Sequence, residues 1–354
     1  MKFFKIALIL VFMLFALVGC KTPEDEQVKD NRANNGKQNT SLSDGQDKSE
    51  GISGDLKEAL YVVNMNANQV TVIDPATNQI KGSIKVEQRP FDVVVDPAGK
   101  YAYVTGAFSK DVSVIDIAKN RVIHKIIVGN TPTHLDITPD GSYIYVTNLE
   151  SKSVSVIDAR INSVIDSVKV GDTPYDVKVS PDGKTVLATN YRDNNISVID
   201  VSSRKVVNTI KAGRGVAGLA FTGDGKYAYT GAHGDNSDWT RIWVHELPSG
   251  KVIKEIDTDK MPTVMRLAPD GRYLYVLIHE SDKVFVLDTK TNQVVTSFAA
   301  EKNPQGIVFS SNGKYVYIAN TDSNTVSVVE TATYKKVASI PVEWGPIGMA
   351  YKGQ

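Results

Sequence analysis

Imidazole rings, carboxylates and one thiol are the side chains of this sequence that could hold a metal, move a proton or form a covalent bond. Five histidines, His124, His134, His233, His245 and His279, could ligate a metal or a haem iron through a neutral ring nitrogen. No two have the spacing of a ligand pair on one helix, and no Cys-x-x-Cys-His haem-attachment motif occurs. His245 stands where Ile115, Ile157 and Ile199 stand in other copies of a repeat, which predicts a residue wedged between packed sheets; His124 is expected on an outer strand. His134, His233 and His279 are the three that could share one rim. Among the carboxylates, Asp74, Asp116, Asp158, Asp200 and Asp288 recur at one place in the repeat, with Glu246 and Glu330 as substitutes. A short carboxylate repeated in this way is expected to accept hydrogen bonds from the backbone of the following turn, a structural duty rather than catalysis. Asp235–Asp238 lacks the spacing and terminal Glu of an EF-hand, and neither a Gly-x-Ser-x-Gly elbow nor a Walker loop is present. These motifs assign no metal, no cofactor and no catalytic residue.

The thiol reads as an anchor. Lys2 and Lys5 precede an uncharged apolar run from Ile6 to Leu17, which is too short for a membrane span of about 20 residues and suits the core of an export signal. Leu17-Val18-Gly19-Cys20 resembles the bacterial lipobox. That resemblance implies removal of residues 1–19, diacylglycerol on the Cys20 sulfur and acylation, such as palmitate, of the new amino terminus. Cys20 is the only cysteine, so it has no disulfide partner within the chain, and the rest of the protein can hold neither a thiolate metal site nor a thiol nucleophile. From Lys21 to about Lys57 large apolar residues are almost absent, and such a segment cannot offset the entropy of ordering it. It is expected to be a flexible tether over residues 20–57 with a reach on the order of 30–35 Å. The expected address is the outer side of a cell membrane, or an outer membrane where the envelope has one. Forty basic and forty acidic residues balance to zero net charge, so no global field favours nucleic acid as a partner.

The elements that must position any site come from a repeat. Units begin at Ala59, Tyr101, Tyr143, Thr185, Tyr227, Tyr273 and Tyr315; five span 42 residues, the fifth 46 and the last 40. In the third unit, Tyr143–Asn148, Ser153–Asp158, Ser163–Val170 and Pro174–Ser180 are four pieces rich in β-branched and aromatic residues, separated by turn residues. Pro-Asp-Gly at 139–141, 181–183 and 269–271 supplies a glycine where a tight turn needs positive φ. Four strands per unit, seven times over, predict an all-β, seven-bladed β-propeller spanning 58–354 with four antiparallel strands per blade. Tyr145-Val146-Thr147-Asn148, followed by VSVID, a Val-Gly step, a Pro and Pro-Asp-Gly, is similar to the YVTN-repeat β-propeller family of exported and surface proteins. The likeness covers nearly all of 59–354 and implies the propeller fold; it does not imply one activity. The first unit lacks the inner-strand pattern that precedes every later copy, and the last unit ends with it at Pro346–Tyr351. Ile347–Tyr351 is therefore expected to form the inner strand of the blade whose other three strands come from Leu60–Val86, closing the ring.

Two sets of loops open on one rim of such a ring. Loops leading into the innermost strands carry Arg89, Phe91, His134, Tyr175, Arg214, Met261, Gln305 and Trp344. Those between the second and third strands carry Phe108, Tyr191, Arg192, His233, Trp239, His279 and Glu280. Aromatic residues and arginine on loops of a rigid scaffold have the composition of interaction hot spots. The fifth unit departs most from the repeat, with about four extra residues in 231–239 and Gly213-Arg214-Gly215 just upstream. The expectation is a monomeric, membrane-tethered binding or scaffolding module for an extracytoplasmic protein, glycan or small molecule. The alternative is an exported enzyme or redox accessory related to quinone- or haem-dependent propellers, working at the channel mouth.

Overall fold

The computed structural model describes residues 56–233 and 240–353. Residues 1–19, Cys20, all but the last two residues of the polar segment, the Asp235–Asp238 run and Trp239 lie outside the described residues. The described chain forms 28 strands, β1 to β28, grouped in seven four-stranded antiparallel sheets. Six sheets take four consecutive strands, each with its inner strand first: β4 (Pro90–Val95), β8 (Pro132–Ile137), β12 (Pro174–Val179), β16 (Val216–Phe221), β20 (Pro262–Leu267) and β24 (Pro304–Phe309). The seventh has the order β28-β1-β2-β3, in which β28 (Pro346–Lys352) lies against β1 (Ala59–Asn64), followed by β2 (Gln69–Asp74) and β3 (Gln79–Lys85). Pairing runs from Ala59↔Lys352 through Val62↔Met349 to Asn64↔Pro346. The protein is a seven-bladed β-propeller closed by its C-terminal inner strand, as its repeats require.

The core lies between blades rather than within them. A four-stranded sheet has two faces, and each is buried only against a neighbour. One cluster joins Tyr103, Val112 and Val114 of one blade to Leu135, Ile144 and Ile157 of the next; another joins Leu60, Val62 and Met349 to Tyr317, Val326 and Val328 across the closure.

The residues of the repeated Tyr-Val-Thr-Asn strand divide this labour. The valines are core, with Val104 and Val146 almost wholly buried. Threonine clasps the next blade: Thr105, Thr147 and Thr189 donate to the inner-strand carbonyls of Thr133 (2.7 Å), Tyr175 (2.9 Å) and Ala217 (2.8 Å). Asparagine ties its own blade together, since Asn148, Asn190 and Asn320 each donate from Nδ2 to a serine of the adjacent strand at 2.9 Å. Tyrosine reaches across the crevice to a hairpin turn of the following blade, Tyr103 to Asn162 Oδ1 (3.4 Å) and Tyr229 to Asn292 Oδ1.

Turn carboxylates act as their recurrence predicts. Asp74, Asp158 and Asp288 accept backbone N–H bonds from Ala76, Arg160 and Lys290 at 2.8–2.9 Å, and hydrogen bonding and ion pairing hold their carboxyls below the usual range. Blades meet so closely at the centre that some inner positions admit only glycine. A Cβ on Gly218 would strike the Thr263 carbonyl oxygen, and one on Gly306 that of Ile347.

Candidate functional site: the channel and upper rim

Successive strands of a blade run in alternate directions, so the loops before the inner strands and those between second and third strands share one rim, here the upper one. Phe91, His134, Tyr175 and Gln305, expected in loops, lie instead on the inner strands themselves, at their first turn into the channel. The proline that opens each of these strands already pairs with the second strand, as Pro132 does with Asn148, so the ladder starts earlier than the turn residues suggest. His279 begins a short 3-10 turn, His279–Ser281, and is buried.

These residues form an arc of rings around the channel mouth. Phe91 meets His134 edge-on with centroids 5.1 Å apart; His134 lies 4.8 Å from Tyr175, Tyr175 6.3 Å from His233, and His233 5.9 Å from His279. Tyr191 flanks His233 at 6.5 Å. His134 Nδ1 lies 2.9 Å from the Tyr175 carbonyl oxygen, which pins its ring. Burial, reinforced by His233, pushes His279 down to about 3, so it stays neutral at any physiological pH. Its Nε2 is buried without a hydrogen-bond partner. The three histidines expected to share the rim do so. Among the described residues, however, no three His, Cys, Asp or Glu side chains converge on a point that could hold a metal ion.

Below the arc lies a polar network that sequence reasoning missed. The inner strands place Asp92, Asp136, Asp176, Lys178 and Arg266 at the second and fourth residues after the opening proline, and these line the channel or couple to the residues that do. Each carboxylate also stitches two blades: Asp136 accepts from Val179 N (2.8 Å) and Asp176 from Leu219 N (3.0 Å). Lys178 Nζ donates to Asp176 Oδ1 at 2.9 Å. Burial pulls Lys178 down, but Asp176, Asp136 and Asp92 outweigh it and hold the amine above its ordinary value. Burial pushes the Asp136 carboxyl up, and Lys178, the Val179 N–H and Arg266 offset that only in part. The signal lay in the alternation of the inner strands: Phe-Asp-Val-Val, Thr-His-Leu-Asp and Tyr-Asp-Val-Lys carry charge where Ala-Gly-Leu-Ala and Ile-Gly-Met-Ala do not.

A second group lies outside the mouth. Trp344 and Phe108 are each 54% exposed. The Trp344 carbonyl accepts from Asn66 N (3.2 Å), Asn66 Oδ1 accepts from Arg89 Nη1 (2.5 Å), and the Arg89 guanidinium lies over the Phe108 ring at 5.4 Å. Arg89 has φ of +56° and its N–H is held by Asn68 Oδ1 at 2.9 Å, so its backbone is fixed before the side chain reaches out. Arg192 and Arg214 are exposed on other loops of the same rim and join neither group. His245 is buried against Thr230 Oγ1 at 3.0 Å, and His124 is exposed on an outer strand; both sit where the repeat puts them.

Comparison with known proteins places this geometry among propellers of several kinds. Three family models match parts of the chain: a YNCE-like β-propeller over 134–227, a seven-bladed lactonase propeller over 244–336, and a cytochrome D1 haem domain over 54–176. Each covers well under half of the chain, and what they share is the propeller. No curated protein matches significantly. Among solved structures, a chain of Kuenenia stuttgartiensis hydrazine synthase is 25% identical with a TM-score of 0.72, covering 82% of this chain and 99% of that one. The dihydro-haem d1 dehydrogenase NirN is 16% identical with a TM-score of 0.60 (87% and 78%), and the periplasmic gluconolactonase PpgL of Pseudomonas aeruginosa is 19% identical with a TM-score of 0.69 (83% and 98%).

The haem likeness can be tested against the residues present. The channel cavity, between Phe91, His134, Tyr175, His279 and the strands below, is about 50 Å³. That is room for a few water molecules, against several hundred Å³ for a site that encloses a cofactor. His279, the histidine with an orphaned nitrogen, is itself buried at the end of the ring arc. The channel does not fit a haem.

Proposed function

We propose that this propeller is a membrane-tethered binding module that captures a protein partner on its upper rim, with Trp344, Arg89 and Phe108 as the contact centre. The observation that carries the proposal is the arrangement of this patch: half-exposed Phe108 lies under an arginine whose backbone and guanidinium are already held in place, and half-exposed Trp344 is tied to the same Asn66 through its backbone carbonyl. Such side chains lose little freedom on binding, and Trp, Arg and large aromatics dominate the energetics of protein interfaces. The tightly filled channel supports binding over turnover, since it leaves no enclosed space in which a substrate could be isolated from water. The described chain enters the ring at the opposite rim, at Leu56–Glu58, which leaves this face clear of that entry. The anchor in this reading is Cys20, and the location extracytoplasmic.

Photo-crosslinking from the full-length chain in its native envelope tests this. A benzophenone amino acid at position 108 should give discrete protein adducts that weaken at least about tenfold with Arg89→Ala and Trp344→Ala together, as expected for loss of about 1.4 kcal/mol or more of contact energy. The same probe at position 207, an exposed outer-strand site of another blade near the lower rim, should give none. Equal adducts from both positions, or none from 108, would remove the proposal.

The enzymatic reading draws support from the likenesses to NirN, the gluconolactonases and hydrazine synthase. A visible absorption band or one equivalent of bound metal in the purified protein would replace the binding role with that one.

A further inference from the structure

The charged groups that line the channel cavity, Asp92, Asp176, Lys178 and Arg266, sum to zero but do not all neutralise one another. Lys178 is paired with Asp176 at 2.9 Å. Asp92 and Arg266 form no ion pair with any described residue. Arg266 is exposed, and only its Nε is engaged, 3.4 Å from the Ile307 carbonyl oxygen; both Nη groups lack a partner among the described residues. Asp92 is partly exposed, with Oδ1 accepting from Val93 N at 2.8 Å and Oδ2 making only a long contact to Leu135 N at 3.5 Å. Their places in the ring set them on opposite walls. β4, with Asp92, and β20, with Arg266, are separated by β24 and β28 on one side of the channel and by β8, β12 and β16 on the other. The two strands on the shorter side carry Gly306 and Gly348 at the position that Asp92 holds in β4, and a Cβ on Gly348 would come within 2.9 Å of Asp92 Oδ1. At this level the wall between the two charges is bare backbone.

We infer that the channel binds a small zwitterion, an α-amino acid of the size of glycine or alanine, with its carboxylate on Arg266 and its ammonium on Asp92. The class follows from the opposed charges. A plain anion held by Arg266 would meet Asp92 and Asp176, and a plain amine held by Asp92 would meet Lys178 and Arg266. A molecule that carries both charges, and none in sum, satisfies both walls. The open end of a guanidinium presents two parallel N–H donors, a fork that matches a carboxylate, while an ammonium brings three donors to the lone pairs of Asp92. Asp136 lies outside the lining; it feels the fields of Lys178 and Arg266 but is in ion-pair contact with neither among the described residues, so the fork stays open. Size sets the upper limit. A cavity of about 50 Å³ has room for about four waters, which admits the two charged groups and the carbon between them but not a large side chain. Inner strands run from the upper rim to the lower, and the exposed Arg266 near the end of β20 marks where the cavity meets solvent. The ligand therefore enters from the lower rim, away from the ring arc.

Isothermal titration of the full-length chain at pH 7 with glycine, alanine, leucine, acetate and methylamine tests the site. Glycine or alanine should bind with a Kd of about 1 mM or below, which so few atoms can supply. Acetate, methylamine and leucine should bind at least about tenfold more weakly. Asp92→Asn and Arg266→Met should each weaken glycine at least about tenfold, the loss of one charged hydrogen-bonding partner. The two substitutions should also act in opposite senses on the half-ligands: acetate gains on glycine in Asp92→Asn, and methylamine gains on glycine in Arg266→Met. Melting curves by circular dichroism show which variants are folded; should Asp92→Asn fail to fold, Arg266→Met, at an exposed position, carries the test alone. No binding of either small amino acid at about 10 mM, acetate or methylamine binding as tightly as glycine, or glycine binding unchanged in folded Arg266→Met would overturn the inference. None of these results bears on the upper-rim patch, which is read by crosslinking from position 108.

Discussion

Glu301 shows how one carboxylate can be committed to stability. It accepts from Thr325 Oγ1 (2.7 Å), Ser339 Oγ (2.8 Å) and Lys336 Nζ (2.8 Å) at the outer side of its blade. Burial opposes its charge, but the lysine and the hydroxyls prevail and bring it down to about 2. A carboxyl depressed in the folded state stabilises the protein at pH above its unfolded value, near 4.5, and loses that contribution as pH falls toward 2. Glu301→Gln should therefore cost about 1 kcal/mol at pH 7, a figure discounted for solvent screening, and the difference from wild type should vanish by about pH 2 in urea titrations. Asp136 has the opposite sign: its raised carboxyl favours the fold below its unfolded value and withdraws that support as pH rises through the folded one. The recurrence of Asp74 and its equivalents was enough to assign them to turns, because a local bond two or three residues away is written in local sequence. The Asp136–Lys178–Asp176 group was not legible, because Asp136 comes from a different blade from Asp176 and Lys178 and meets them only once the ring curves the two strands together.

At the scale of elements, β28 carries the closure. It pairs with β1 along its whole length and buries Ile347, Met349 and Ala350 between blades. Removing residues 347–354 would strip those side chains, at about 1.5–3 kcal/mol for each large one, and leave β1 as an unpaired edge. We expect the truncated chain to melt at least about 10 °C lower or to aggregate, measured by circular dichroism; an unchanged melting curve would refute the closure. That strand was readable from the sequence because the first unit lacks a pattern that the last one supplies. The inner strand of the third unit starts at Pro174, as expected, but Phe91, His134, Tyr175 and Gln305 were read as loop residues, although a proline that lacks an N–H can still open a strand and accept through its carbonyl.

At the scale of the molecule, the balance of charge, the polar 21–57 segment and the lone cysteine bear on address rather than on fold. If Cys20 is the anchor, Cys20→Ser should move the protein from the membrane fraction to the soluble extracytoplasmic fraction and abolish incorporation of labelled palmitate. Retention in the membrane with Ser at position 20 would mean that another segment holds it. The anchor and the rim patch are separable on this account, since the substitution should leave the crosslinking profile from position 108 unchanged in the released protein.

Repetition let the sequence by itself determine the seven blades, their strand order, the closing strand and the duty of the turn carboxylates, because each repeat restates the same local instruction. Only the tertiary structure decided what the unlike residues do. It showed that the channel is filled to about 50 Å³, that Trp344, Asn66, Arg89 and Phe108 are linked although they are drawn from both ends of the chain, and that a cavity of about 230 Å³ opens between the first and last blades. The physical reason is ring closure: it brings residues near 60 and near 350 into contact, and no periodicity within the chain encodes how two imperfect copies will fit against each other.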